Sequence, residues 1–162
     1  MSVIKTKINK NSQAYQSNHA LMQEKVVELK QIMQKSLFQG EAKYIERTLK
    51  AGKLLSRDRI ELLLDKDSPF LELLPLAGYN ADEAGAGGTV VAGIGVVSGK
   101  LCLISSNIGT IKGGAIDYPT LQKTFRLGEI AFENNLPVIN LVESAGANLP
   151  DQARIFNYGG AS

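Results

Sequence analysis

Two runs of small residues hold the groups best suited to chemistry in this 162-residue chain: Lys112-Gly113-Gly114-Ala115, and Ser144-Ala145-Gly146-Ala147 directly after Glu143. Glycine and alanine leave backbone N–H groups unshielded, so such turns suit a carbonyl, an oxyanion or a phosphate. Lys112 adds a cation for a phosphate. Pattern alone leaves open whether the two runs are anion cradles or tight packing turns.

Side-chain chemistry is sparse by comparison. Ser144 follows a strand-like run and invites comparison with a nucleophile elbow, but Val142-Glu143-Ser144-Ala145-Gly146 lacks the first glycine of G-x-S-x-G and no histidine follows to act as base. Glu143 stands as a candidate general base or as an acceptor of structural hydrogen bonds. His19 is the only histidine and has no cysteine or second histidine beside it, so a surface position is predicted and no metal site. Cys102, the only cysteine, lies in an apolar run and reads as a buried, inert thiol. Gly93-Ile94-Gly95 with Gly99 is followed by more strand-like sequence and not by a helix, so it does not read as a dinucleotide fingerprint.

The two runs are carried by recognisable elements. A helix is predicted over 121–133, opened by Tyr118-Pro119-Thr120, with Leu121, Phe125, Gly128, Ala131 and Phe132 on one face; a buried strand follows at 137–142. Upstream, β-branched residues at 89–97, the turn Ser98-Gly99-Lys100 and residues 101–106 predict a hairpin of two largely buried strands. Residues 78–88, rich in glycine and alanine, read as an exposed loop, and 70–74 as a short strand. Further back lie a helix in 53–65 with Ser56 as its N-cap, a short helix over 41–50, and a long amphipathic helix within 17–39 ended by Gly40. Met22, Val26, Leu29 and Met33 of the long helix form a stripe read as packing surface. Residues 1–18 read as a flexible lead-in, 19–66 as a helical segment, and 67–162 as an α/β layered domain.

Composition bounds the class. With 44% hydrophobic and 21% charged residues the chain suits a globular domain, and its net charge of +2 is spread without a basic, aromatic-interleaved stripe, which argues against a nucleic-acid partner. No run reaches the roughly 20 apolar residues of a membrane span. A reducing, cytoplasmic compartment is predicted, or the mitochondrial matrix in a eukaryote.

Four blocks in order carry a resemblance. Residues 52–65 (GKLLSRDRIELLLD), 68–73 (SPFLEL), 110–115 (TIKGGA) and 135–147 (NLPVINLVESAGA) resemble the carboxyltransferase (β) subunits of biotin-dependent acyl-CoA carboxylases, over roughly 42–150. The Lys-Gly-Gly block and Leu149-Pro150 are most similar to the methylcrotonyl-CoA and geranyl-CoA branch. The resemblance implies a crotonase-like (ClpP-like) α/β superfold, truncated and preceded by the N-terminal helical segment. It also implies transfer of a carboxyl group from carboxybiotin, carried by a partner biotin carboxylase or biotin carrier subunit or domain, to the enolate of an acyl-CoA. Carried over by position, Lys112, Gly113, Gly114 and Ala115 lie on the CoA-binding loop, and Ser144, Ala145, Gly146 and Ala147 line the acyl site. Ala145 stands where the family usually has glycine.

Family members continue beyond the position of Ser162 with a glycine-rich segment that supplies the thioester oxyanion hole, and with a second, biotin-binding domain. On that basis the chain is expected to be an N-terminal portion, inactive alone, with its catalytic residues beyond Ser162 and a homo-oligomeric assembly at full length. Two other readings are a non-catalytic CoA-binding or assembly module, and a crotonase-type hydratase or hydrolase using Glu143.

Overall fold

The computed structural model describes residues 5–80 and 86–157. Three helices come first: α1 (Gln13–Lys35), α2 (Ala42–Lys50) and α3 (Ser56–Leu63). They precede a mixed sheet in the order β1 (Leu71–Glu72), β2 (Val90–Val97), β3 (Lys100–Asn107) and β4 (Val138–Leu141). Between β3 and β4 runs α4 (Tyr118–Glu133), and after β4 the short α5 (Gln152–Phe156).

β2 and β3 pair antiparallel from Val90 opposite Asn107 to Val97 opposite Lys100. Their tight turn uses Ser98 and Gly99, both at positive φ, 50° and 74°, as the twist of a two-residue hairpin requires. Asp65 fastens the turn, its carboxylate accepting from the N–H groups of Ser98 and Gly99, each at 2.7 Å. β4 joins β3 in parallel, Leu103 opposite Val138, so β3, α4 and β4 form a βαβ unit.

Alternation along the strands sends side chains to two cores. On one face Val91, Cys102, Ile104 and Ile108 pack with Ile60 of α3; on the other Val90, Ala92 and Leu103 pack with Leu127 and Ala131 of α4. Sheet and helices thus form the α/β layers that the sequence predicts, and Cys102 is a buried free thiol. Gly93 and Gly95 serve this packing: a Cβ on the first would strike the Leu71 carbonyl and the Phe70 ring, and on the second the Leu64 side chain.

Several local expectations are corrected. Residues 13–18, read within the flexible lead-in, are helical because Ser12 caps α1, its hydroxyl accepting from Tyr15 N–H at 3.2 Å. Gly40 does not end that helix; α1 stops at Lys35, and Gly40, at φ 112°, takes a turn pressed against the Thr110 carbonyl. The stripe of Met22, Val26, Leu29 and Met33 is exposed, because α1 buries no residue against the described parts of the chain. Ser56 is the first residue of α3 and not its N-cap; its buried hydroxyl donates to the Asn107 carbonyl at the end of β3.

In α4 the packed face is Thr120, Lys123, Leu127 and Ala131, whereas Phe125 and Phe132 point outward, the latter 86% exposed. Lys123 could not be assigned to a core by hydropathy, yet it is only 2% exposed, its Nζ donating to the carbonyls of Gly87 and Val90 at 3.0 and 2.6 Å. Burial lowers its pKa to about 8, opposed by Glu72 and helped by Arg57. β4 is half-exposed and not buried, since one of its faces lacks a covering layer among the described residues. The loop predicted over 78–88 ends in buried Gly87 and Gly88, while residues 81–85 lie outside the described part.

Candidate functional site

The loops that follow β3 and β4 lie side by side. Lys112, Gly113 and Gly114 adopt three successive left-handed conformations, with φ of 47°, 64° and 70°, which turns the chain sharply out of β3 toward α4. That turn lays the first loop along residues 143–148. Ala145 N–H donates to the Gly113 carbonyl at 2.9 Å, Ile116 N–H to the Gly146 carbonyl at 2.8 Å, and Asn148 N–H to the Ile116 carbonyl at 2.8 Å. A parallel bridge between Ile116 and Ala147 completes the seam.

Gly114 is the contact point. It is buried, and a Cβ there would run into the carbonyl oxygen of Glu143. Asn107 ties the same place together, its side-chain N–H donating to the Gly114 carbonyl and its side-chain oxygen accepting from Glu143 N–H, both at 3.4 Å. The structure therefore brings the two sequence-selected runs into one unit. It also corrects the picture of unshielded donors: Gly114 N–H goes to the Ile111 carbonyl, Ala115 N–H to the Lys112 carbonyl, Ala145 N–H to Gly113, and Gly146 N–H to the Ser144 hydroxyl. Four backbone N–H groups of the two runs hold the loops and do not point at a ligand.

Beside this unit opens a cleft of about 700 Å³ between α2, the segment after it and the loop after β3. Tyr44, Arg47 and Thr48 of α2 line one wall, Lys53 the rim, and Gly109, Thr110, Ile111, Lys112 and Gly113 the other wall, with Glu143 beneath. Of the eight residues predicted for binding, Lys112 and Gly113 line this cleft; Gly114 and Ala115 are buried behind it, Ser144, Ala145 and Gly146 are exposed, and Ala147 is half-buried. Sequence does not single out Arg47 and Lys53, because cations on a short surface helix and its linker look like any solvated face.

The charges are organised. Lys112 Nζ stands 4.0 Å from the carboxylate of the fully buried Asp117, which caps α4 by accepting from Thr120 N–H at 3.1 Å. Lys53 Nζ donates to Glu143 Oε1 at 2.8 Å, and Arg59 Nη1 lies 3.7 Å from Glu143 Oε2. A carboxylate held by two cations is an anchor, which speaks against Glu143 as the base of a hydratase. His19, on α1, is exposed and stacks on Tyr15 with ring centroids 5.8 Å apart. No group of three or more metal-binding side chains occurs among the described residues, and no helix among them is long and apolar enough to cross a membrane.

Comparison with known proteins agrees with this geometry. The chain is 46% identical over 158 residues to a probable biotin-dependent acyl-coenzyme A carboxylase β2 subunit of Mycobacterium tuberculosis, covering 98% of this chain and 30% of that one. It is 45% identical over 157 residues to a probable mitochondrial methylcrotonoyl-CoA carboxylase β chain of Drosophila melanogaster, covering 96% of this chain and 27% of that one. Among solved structures it is similar to the β subunit of geranyl-CoA carboxylase from P. aeruginosa, at 42% identity and a TM-score of 0.86, over 98% of this chain and 30% of the other. The chain thus spans about 30% of the length of these relatives. The model of the carboxyl transferase domain matches residues 47–161, from within α2 through the cleft and both loops. With its crotonase-like α/β layers and this match over most of its length, the chain belongs to the carboxyl transferase domain family.

Proposed function

We propose that the chain forms the acyl-CoA-binding part of the carboxyltransferase (β) subunit of a biotin-dependent acyl-CoA carboxylase, with a branched, unsaturated acyl-CoA of the methylcrotonyl or geranyl kind as substrate. The observation that carries this reading is the cleft of about 700 Å³ lined by the cations Arg47, Lys53 and Lys112, with Glu41 and Glu143 as its acidic members, beside the paired loops. Its size falls within the ~300–1,000 Å³ of small-molecule sites, and three cations suit the phosphates of CoA. In this reading Lys112, Gly113, Gly114 and Ala115 form the CoA loop, and Ser144, Ala145, Gly146 and Ala147 line the acyl position.

Carboxybiotin, carried by a partner subunit or domain, supplies the carboxyl group that the enolate of the acyl-CoA receives. Biotin's ureido oxygen calls for outward N–H donors, and Gly114, Ala115, Ala145 and Gly146 donate within the loops. Those four N–H groups therefore do not fit that role, and no residue of the chain is assigned to biotin. What these residues do is bind and orient CoA. The partners are a biotin carboxylase and biotin carrier, with further copies of the subunit in a homo-oligomer, in the cytoplasm or, in a eukaryote, the mitochondrial matrix.

The engaged N–H groups favour a second reading, a CoA-binding module without catalysis. Titration calorimetry with 3-methylcrotonyl-CoA tests both: saturable binding weakened by Arg47→Met and Lys112→Met is expected, and a cooperatively melting chain that binds no CoA thioester refutes them. Free carboxybiotin separates them, since a carboxylated thioester formed by the chain would exclude the module.

A further inference from the structure

Glu143 sits under the cleft with a choice of partners. Oε1 holds Lys53 Nζ at 2.8 Å, while Oε2 is 3.7 Å from Arg59 Nη1, too far for a hydrogen bond. The two cations differ in surroundings: the Lys53 side chain is 60% exposed at the rim, the Arg59 side chain 25% exposed. Arg59 Nη1 is buried and donates no hydrogen bond, so a stronger contact to Glu143 would satisfy a donor now without one. Gly109 packs against the carboxylate, and a Cβ at that residue would lie 2.9 Å from Glu143 Cδ, so the glycine is what admits Glu143 to this place between the two cations.

We infer that Glu143 is a two-partner positioning carboxylate that yields Lys53 to a phosphate entering the cleft and closes onto Arg59. This deepens the acyl-CoA reading and rests on it. In the free chain Glu143 keeps Lys53 neutralised at the rim. An exposed ammonium–carboxylate pair is weak, whereas a phosphate–ammonium contact is strong, so the exchange runs toward the ligand. No charge is stranded by it, since Lys53 gains the phosphate and Glu143 retains Arg59. The carbonyl of Glu143 rests on Gly114, so the exchange is felt where the two loops meet.

A double-mutant cycle on the full 162-residue chain tests the exchange, with CoA and inorganic pyrophosphate as probes in calorimetric titrations. Glu143→Gln removes the competitor and is expected to tighten both probes about two- to fivefold, the worth of an exposed pair. Lys53→Met is expected to weaken both, and in that background Glu143→Gln changes nothing. Equal tightening with and without Lys53 would mean that Glu143 acts only as a distant negative charge and overturns the proposal. So would affinities indifferent to Lys53. If Glu143→Gln fails to melt cooperatively, Glu143→Ala, which also removes the carboxylate, takes its place with the same expected direction. Pyrophosphate obeying the cycle while CoA does not bind would leave the exchange standing and remove the acyl-CoA reading; CoA binding without the cycle would do the reverse.

Discussion

Replacing Gly114 by alanine separates a packing role of the first loop from mere chain flexibility. Gly114 and its neighbour Gly113 share left-handed backbone, φ 70° and 64°, so an alanine at either position meets the same conformational penalty of about 1–2 kcal/mol. Their surroundings differ. At Gly113, which is exposed, the nearest atom to a new Cβ is that of Ala145 at 3.3 Å, and a small movement relieves it. At Gly114 the new Cβ meets the backbone oxygen of Glu143, which cannot rotate away, and Asn107 Cβ stands 3.2 Å off. Overpacking against such neighbours adds about 1–3 kcal/mol. Gly114→Ala should therefore cost about 2–5 kcal/mol and Gly113→Ala about 1–2, a large difference beside the ~5–15 kcal/mol that holds a domain folded. Urea denaturation of both variants followed by circular dichroism measures it. Equal losses, or a loss under about 1 kcal/mol for Gly114→Ala, would refute the claim that the two loops close on this residue.

Three other outcomes follow from the packing. Lys123 has a folded-state pKa of about 8 against 10.5 in the unfolded chain, so between those values the unfolded chain binds the extra proton and its contribution to stability rises with pH, by at most about 3 kcal/mol. The urea midpoint of the native chain should gain on that of Lys123→Met between pH 7.5 and 10.5; parallel curves would show the ammonium to be solvated. Thr120→Val keeps the shape of a fully buried side chain but removes the acceptor of Thr89 N–H, 2.9 Å away, and should cost about 1–3 kcal/mol in the same assay. Arg57 binds Glu72 through two parallel bonds of 2.7 and 2.9 Å and also donates to the Ser36 carbonyl, so Arg57→Lys, which loses the fork, should cost about 1–2 kcal/mol; an unchanged melting profile would show the fork to be idle.

Much of the layering was legible because it follows from local rules. The β-branched run of 90–97, the Ser98-Gly99 turn and the apolar stretch after it specify a hairpin without reference to anything distant. The small-residue runs could be located for the same reason, since they punctuate strand ends. What escaped depends on contacts across the sheet. Of the stripe Leu121, Phe125, Gly128, Ala131 and Phe132 only Ala131 is buried, and α4 turns Thr120, Lys123 and Leu127 inward with it because Thr89, the Gly87 and Val90 carbonyls and Leu103 lie there to receive them. Likewise the N–H groups of Gly114 and Ala145 look available in sequence, and only the fold shows their acceptors, Ile111 within the first loop and Gly113 across the two loops. The cations of the cleft were invisible as a group because α2 and the β3–α4 loop converge only in the fold.

Why the cleft forms where it does follows from strand direction. β3 and β4 are parallel, so the loops leaving them emerge at the same end of the sheet, the carboxyl end, where α/β sheets leave a crevice. Asn107 is the last residue of β3 and marks that end with four contacts: its carbonyl receives Ser56 from the start of α3, its amide donates to Gly114, its side-chain oxygen accepts from Glu143, and it pairs with Val90 across the hairpin. Asn107 thereby relates α3 to both loops, its backbone carbonyl holding Ser56 of α3 and its side-chain amide holding Gly114 and Glu143. α3 carries Arg59, and the linker leading into it carries Lys53, so fixing α3 also fixes the two cations that meet Glu143. The arrangement makes the stability of the fold and the charge pattern of the cleft consequences of the same few contacts. Asn107→Leu, close in size but unable to pair, keeps the carbonyl that holds α3 and loses both bonds to the loops. It is therefore expected to loosen the loops that carry Lys112 and Glu143, lowering the urea midpoint and weakening pyrophosphate binding in one step.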